Sequence, residues 1–199
     1  MTIQTVLFDA DGVTQYNWVF MERMSKLLNG QATLEEISDV EHPNLTGERD
    51  FDADLRAFVA EKGLDADVED MYAIWNDIEP DPEVLAMMKE LRAKGVDVYL
   101  ATNQQPERGQ YMVDHLELYP DVIRQFHSWQ MHLAKPDPAF FRAIIDELGL
   151  DPSTTLFMDD LQANVDAARS VGLNAEFHDR THGAEGVRGI LVKHGVLDA

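Results

Sequence analysis

The chain has no cysteine, which excludes disulfides and thiolate metal sites alike. It has no apolar run near the ~20 residues that span a bilayer, and its N-terminus lacks the basic, hydrophobic pattern of a secretory signal. Basic side chains are scarce. Lys and Arg number 16 against 37 Asp and Glu, a net charge of −21, and such a field repels nucleic acid and anionic membranes. A small anionic substrate is still admissible, because a local cation can reverse the sign inside a pocket. These absences set the expectation of a cytoplasmic protein with a small-molecule partner, no nucleic acid and no membrane. Asn44-Leu45-Thr46 has the form of a glycosylation sequon, but without secretion it is a chance match.

What is present begins with composition. A chain of 199 residues, 45% hydrophobic and 27% charged, can build one sizeable core, or a core with a smaller insert. Its acids are spread along the chain rather than blocked into a tail, so general solubility explains most of them. The chain is organised around Val6-Leu7-Phe8 and the Asp9-Ala10-Asp11-Gly12-Val13-Thr14 that follows. An apolar run that ends on two acids is how a buried strand of a parallel sheet delivers carboxylates to its carboxyl end. Side chains alternate in an extended chain, so Asp9 and Asp11 project on the same side, and Gly12 lets the chain turn just past them. Two like charges this close need a cation, a shared proton or strong hydrogen bonds. No basic residue precedes Arg23, which makes Mg²⁺, with its preference for oxygen ligands, the natural candidate. A solvated, Asp-rich turn is the plain alternative on this stretch alone.

From Gln15 to Glu79 the pattern is helical, with no convincing strand. Trp18, Met21, Ser25 and Leu28 form one helical stripe, which stops near Asn29-Gly30. Thr33 and Glu36 have capping-box spacing and open a second helix. Phe51, Leu55, Phe58 and Val59 mark a third, closed by Gly63, and Val68, Met71, Tyr72, Trp75 and Ile78 mark a fourth. Most of these aromatics and methionines are core candidates. Tyr16 and Trp18 differ, because they follow the acidic turn and are placed to overhang it. Glu79-Pro80-Asp81-Pro82 punctuates the exit. The expected organisation is therefore a core of residues 1–14 and 80–199, with residues 15–79 inserted as a helical cap.

Beyond Pro82, helices and strands alternate. Asp81-Pro82 and Asp137-Pro138 each read as an N-cap followed by proline in the first helical position. Strands are expected at Val96–Ala101, near Phe126–Ser128, at Thr155–Met158 and at Asn174–Phe177, each separated from the next by an amphipathic helix. That alternation predicts an α/β fold, a doubly wound parallel sheet covered on both faces, with its site at the carboxyl ends of the strands.

Three further polar signals fall at strand ends or loops. Thr102-Asn103 ends the second core strand and offers a hydroxyl and an amide to a phosphoryl oxygen, or a turn cap. Lys135 is a lone cation in Ala134-Lys135-Pro136-Asp137-Pro138. Asp159-Asp160 repeats the paired acids after an apolar strand, and Asn164, one helical turn on, is placed to hold Asp160.

With these pieces in place, the chain resembles the haloacid dehalogenase-like hydrolase superfamily, over essentially its whole length. The resemblance is to the branch with a helical cap after the first motif and an acid pair followed by Asn in the fourth. The four motifs correspond to Asp9-Ala10-Asp11-Gly12-Val13, Thr102-Asn103, Lys135-Pro136, and Asp159-Asp160 with Asn164. This implies a Rossmann-like core and a Mg²⁺-dependent phosphatase that forms an aspartyl-phosphate and acts on a small phosphorylated metabolite such as a sugar phosphate. Asp9 would be the nucleophile and Asp11 the general acid-base. Mg²⁺ would be held by the Asp9 side chain, the Asp11 backbone carbonyl and Asp160, with Asp159 assisting directly or through water. Thr102, the Asn103 backbone and Lys135 would bind the phosphoryl oxygens, and Lys135 would offset the repulsion of Asp9 and Asp160.

Other readings remain beside this one. A phosphosugar mutase of the same superfamily shares Asp11, whereas its dehalogenases lack an acid two positions after the nucleophile. A receiver-type signalling switch also sets acids, Thr and Lys at a sheet edge, but in the reverse order and without an insert. His178 and His182 have the spacing of helical metal ligands, yet the residues between them read as a loop and no third ligand is evident. Substrate choice is expected to come from the cap, through the rings of Tyr16 and Trp18, whose hydroxyl and indole N–H suit a polyol.

Overall fold

The computed structural model describes residues 2–16 and 19–198. In chain order its elements are β1 (Thr5–Phe8), α1 (Phe20–Leu28), α2 (Leu34–Glu41), α3 (Phe51–Lys62), α4 (Val68–Trp75), α5 (Pro82–Ala93), β2 (Asp97–Thr102) and α6 (Pro106–Asp114). They continue with β3 (Arg124–His127), α7 (Ser128–Met131), α8 (Pro138–Leu148), β4 (Thr155–Asp159), α9 (Gln162–Ser170), β5 (Asn174–Phe177) and α10 (Gly183–Lys193). Short 3₁₀ turns fill some of the links. No helix among the described residues is long and apolar enough to cross a membrane.

The five strands form one parallel sheet in the order β3-β2-β1-β4-β5. β1 is central and wholly buried, which is why its sequence is a continuous apolar run rather than an alternation. Its side chains divide between two cores. Val6 and Phe8 pack with Val84, Met88 and Leu91 of α5 and Val187 and Leu191 of α10. Leu7 packs on the other face with Phe140, Phe141 and Ile144 of α8 and Val165 and Ala168 of α9. The register pairs Phe8 with Leu100 of β2 and with Met158 of β4. The residues that follow each strand are thereby delivered side by side to one sheet edge.

Helices α1 to α4 enclose a third core of their own, built on Met24, Leu28, Ile37, Phe51, Leu55, Met71 and Trp75. Phe51 and Trp75 meet edge to face at 5.5 Å between ring centroids. The capping box of Thr33 and Glu36 forms as expected, and Asp81 and Asp137 both cap helices that begin with proline. The chain leaves and re-enters the sheet side by side: Gln15 bridges to Pro80, and the Asp81 N–H donates to the Thr14 carbonyl at 2.8 Å.

Two expectations need correction. Leu28 of the expected α1 stripe is buried, but its buried partner is Met24, while Met21 is 59% exposed and Ser25 is exposed. Ile78 lies outside α4 and packs on the sheet's core instead of the helical one.

Candidate active site

Asp9 follows β1 and is held in the sheet by its N–H, which donates to the Met158 carbonyl at 3.0 Å. Its side chain is buried, and Oδ1 accepts from Lys135 Nζ at 2.7 Å. The same ammonium donates to Asp159 Oδ2 at 2.6 Å. Lys135 is brought there by the loop before α8, which Asn103 clamps through both the N–H and the carbonyl of Lys135 itself. Asn103 Oδ1 accepts from Lys135 N at 2.9 Å and its Nδ2 donates to Lys135 O at 2.8 Å. Burial pushes the Asp9 carboxyl up to about 8, Lys135 pulls against it, and Asp159 adds to the rise. Burial works against the Lys135 charge, but Asp9 and Asp159 hold the ammonium above its usual value.

Asp159 is fully committed. Oδ1 accepts from Leu161 N at 2.8 Å and Asn164 Nδ2 at 2.9 Å, and Oδ2 from Lys135 and from Asn164 Nδ2 at 3.0 Å. A carboxylate has about four acceptor positions, so Asp159 is an anchor for Lys135. This corrects one expectation. Asn164 holds Asp159, not Asp160, because Asp159 is the residue that ends β4 pointing into the protein. Lys135 bridges Asp9 to Asp159, and its charge also works to lower the Asp160 carboxyl as it does that of Asp9.

Asp160 is half-buried, with Arg180 Nη1 at 4.0 Å from Oδ2. Burial and then Asp159 push its carboxyl up to about 6. Gly12 makes room for it. With φ at +83° the glycine turns the chain under the acid, and a Cβ there would lie 2.4 Å from Asp160 Oδ2. Oxygens of Asp9, Asp159 and Asp160 lie within 4.8 Å of one another, the one such cluster of His, Cys, Asp or Glu among the described residues. This is an all-oxygen donor set of the kind a hard divalent cation takes. The raised Asp9 and Asp160 mark negative charge that Lys135 alone does not neutralise.

Asp11 faces a partner that the sequence did not announce. Arg108 of α6 grips it with both guanidinium nitrogens, Nη1 to Oδ2 at 2.5 Å and Nη2 to Oδ1 at 2.8 Å. Gln104 and Gln15 add amide donors at 2.8 and 2.9 Å. Burial works to raise the Asp11 carboxyl, but Arg108, Gln104 and Gln15 hold it down at about 2. Arg108 is itself fixed by the Trp75 carbonyl, to which Nε donates at 2.8 Å, and by Gln104 Oε1 at 2.7 Å. It therefore ties the carboxyl edge of the sheet to the last residue of α4. No local signal singles Arg108 out, since it stands in the first turn of an amphipathic helix like any solvated arginine.

Thr102 is buried at the end of β2, and its Oγ1 accepts from Gln104 Nε2 at 2.9 Å. Tyr16 lines the same cleft, but its hydroxyl donates to the Val13 carbonyl at 3.1 Å and meets His178 Nε2 at 3.1 Å. That hydroxyl braces the exit of the first motif while the ring borders the cleft. Trp18 lies outside the described residues. The His178 and His182 pair belongs to no metal-sized cluster among them.

A single cleft of about 680 Å³ joins these groups to the helical segment. A family model of haloacid dehalogenase-like hydrolases matches residues 3–172. Phosphatase MT3486 of Mycobacterium tuberculosis is 28% identical over 197 residues, which cover 91% of this chain and 89% of that protein. A HAD-like family hydrolase of Porphyromonas gingivalis shares the fold with a TM-score of 0.77 at 20% identity, covering 97% of this chain and 99% of its own. The HAD family enzyme bt-2542 of Bacteroides thetaiotaomicron, in its magnesium complex, does so with a TM-score of 0.75 at 20% identity, covering 90% and 95%.

Proposed function

The chain belongs to the haloacid dehalogenase-like hydrolases, and on that footing we propose that it is a Mg²⁺-dependent phosphomonoesterase acting on a small phosphorylated metabolite. The observation that carries this reading is the setting of Asp9. It is a buried carboxylate at the end of the central strand, 2.7 Å from a buried ammonium, with a second acid two residues on. The phosphatase among the relatives and the magnesium complex among the structural neighbours support it.

In this reading Asp9 attacks phosphorus, the bond to the leaving oxygen breaks, and an aspartyl-phosphate forms. Asp11 gives a proton to the leaving alcohol, then takes one from the water that attacks phosphorus and frees phosphate. Lys135, the Thr102 hydroxyl and the Asn103 backbone N–H bind the phosphoryl oxygens, where charge accumulates in the transition state. Asp9, Asp160 and the Asp11 carbonyl would hold Mg²⁺, which supplies neutralising charge to those oxygens. Asp159 acts by fixing Lys135. Residues 15–79 serve as the cap that covers the leaving group, on a core of residues 1–14 and 80–199.

Asp11 disfavours the dehalogenase alternative, since attack on carbon needs no acid at that position. A phosphosugar mutase keeps the same residues and differs in product. The test is phosphate release from a panel of phosphomonoesters and a generic aryl phosphate with Mg²⁺, beside an Asp9→Asn control. Release that needs both Mg²⁺ and Asp9 is expected. Isomerised phosphosugar with little free phosphate would replace this reading with the mutase, and wild-type turnover by Asp9→Asn would remove the nucleophile.

A further inference from the structure

The cleft has two unlike walls. Its core side carries the charged groups Asp9, Asp11, Arg108, Lys135, Asp160 and Arg180, while the helical segment supplies Phe20, Met21, Leu34, Leu45 and Trp75. Leu161, just past the fourth motif, adds an apolar side chain on the core side. At about 680 Å³ the space is within the ~300–1,000 Å³ of small-molecule pockets, and a phosphoryl group occupies only its core side.

Polar groups are few on the wall that the leaving alcohol must meet. The Tyr16 hydroxyl is engaged with Val13 and His178. Glu41 turns towards Arg108 and the Trp75 indole, and burial pushes its carboxyl up to about 7. His42 is the other polar side chain on this wall. Two apolar residues are meanwhile left open to water in the lining: Met21 is 59% exposed and Leu161 58%. Exposed apolar side chains gathered at a cleft mark a surface that a ligand covers.

We propose that the leaving alcohol is apolar, so that the substrate is an amphiphilic phosphomonoester whose hydrocarbon part lies against Phe20, Met21, Leu34, Leu45 and Leu161. This rests on the phosphomonoesterase reading and narrows it away from sugar phosphates. Selection comes from burial of hydrocarbon, with no requirement for a ladder of hydroxyl partners.

A series of n-alkyl monophosphates from ethyl to octyl, with phenyl and naphthyl phosphate and a hexose 6-phosphate, tests this in the presence of Mg²⁺. A buried methylene contributes ~0.8 kcal/mol, about fourfold, so kcat/KM should rise about two- to fourfold per methylene until the cleft is filled. The aryl arm separates a flat apolar group from a flexible one. Met21→Glu and Leu161→Glu alter exposed positions, so the fold tolerates them. Each should lower octyl phosphate turnover at least about tenfold more than ethyl phosphate turnover. A flat series with the hexose phosphate preferred would overturn the apolar site and leave the phosphatase intact. Equal losses on ethyl and octyl phosphate in both variants would overturn the assignment of these residues. No phosphate from any ester would overturn the phosphatase reading, and this one with it.

Discussion

Arg108 and Asp11 form an unequal pair: the guanidinium side chain is 8% exposed and the carboxylate it grips is 43% exposed. The arginine is also tied to the Trp75 carbonyl and to Gln104, so it is the fixed member and Asp11 the one with room to move. A carboxylate held at about 2 is a poor proton donor. Action as an acid on the leaving oxygen therefore requires Asp11 to swing off the fork. Arg108 sets where that swing begins. Lysine keeps the charge but loses the two-pronged geometry. Arg108→Lys is expected to lower kcat about tenfold, part of the ~10²–10⁴ that acid-base help supplies, with KM within about twofold. Steady-state kinetics on an aryl phosphate decide this, and a loss carried by KM alone would make Arg108 a substrate-binding group.

Much of this architecture was legible because it obeys local rules. Val6-Leu7-Phe8 reads as a central strand since burial on both faces removes any alternation, and the Asp-Pro pairs announce helix starts through capping alone. The acids, Thr102 and Lys135 were legible as candidates for one cleft because each stands where an apolar run or a helix begins or ends. Arg108, Gln104 and Glu41 were not, since nothing local distinguishes an arginine on an amphipathic helix from a solvated one. Its role appears only when α6 packs against the end of α4. The same limit hid which acid Asn164 holds: Asp159 and Asp160 are adjacent in sequence, and only the pleat of β4 decides which one points inward.

Asp159 and Asp160 should separate cleanly in a titration with Mg²⁺. Asp160→Asn removes a half-buried carboxylate close to Asp9, and the Mg²⁺ concentration for half activity is expected to rise by about 10–100-fold. Asp159→Asn instead releases Lys135, and the loss should fall on kcat with a smaller change in Mg²⁺ requirement. Equal rises in that requirement for both variants would return Asp159 to the metal.

Gly12→Ala tests the closeness of the first and fourth motifs. The new methyl would lie 2.4 Å from Asp160 Oδ2 at a φ of +83°, and the left-handed conformation alone costs about 1–2 kcal/mol in a residue with a side chain. A fall in melting temperature of several degrees is expected, with a raised Mg²⁺ requirement because Asp160 must shift. Unchanged metal dependence in a destabilised protein would mean that the loop, and not Asp160, absorbs the methyl.

Glu41 supplies the pH-dependent prediction. Burial raises its folded value from 4.5 to about 7, with Arg108 pulling it down and Asp11 pushing it up. Between those two values the folded protein holds a proton that the unfolded chain releases. Stability from this group therefore falls as pH rises from about 4.5 to about 7, and above that range Glu41 is ionised in both states. Its charged neighbours do not blur the window, because Asp11 is held at about 2 and Arg108 above its ordinary value. Glu41→Gln keeps the shape and removes the charge. Near pH 4.5 it should melt close to the wild type, where the acid is largely neutral. At pH 8 it should melt several degrees higher, since ~1 kcal/mol moves the melting temperature of a chain this size by about 2–4 °C. Thermal melts of both proteins at the two pH values give the answer. A gain of equal size at both would mean that Glu41 does not titrate in this window and that the substitution acts through packing against Trp75.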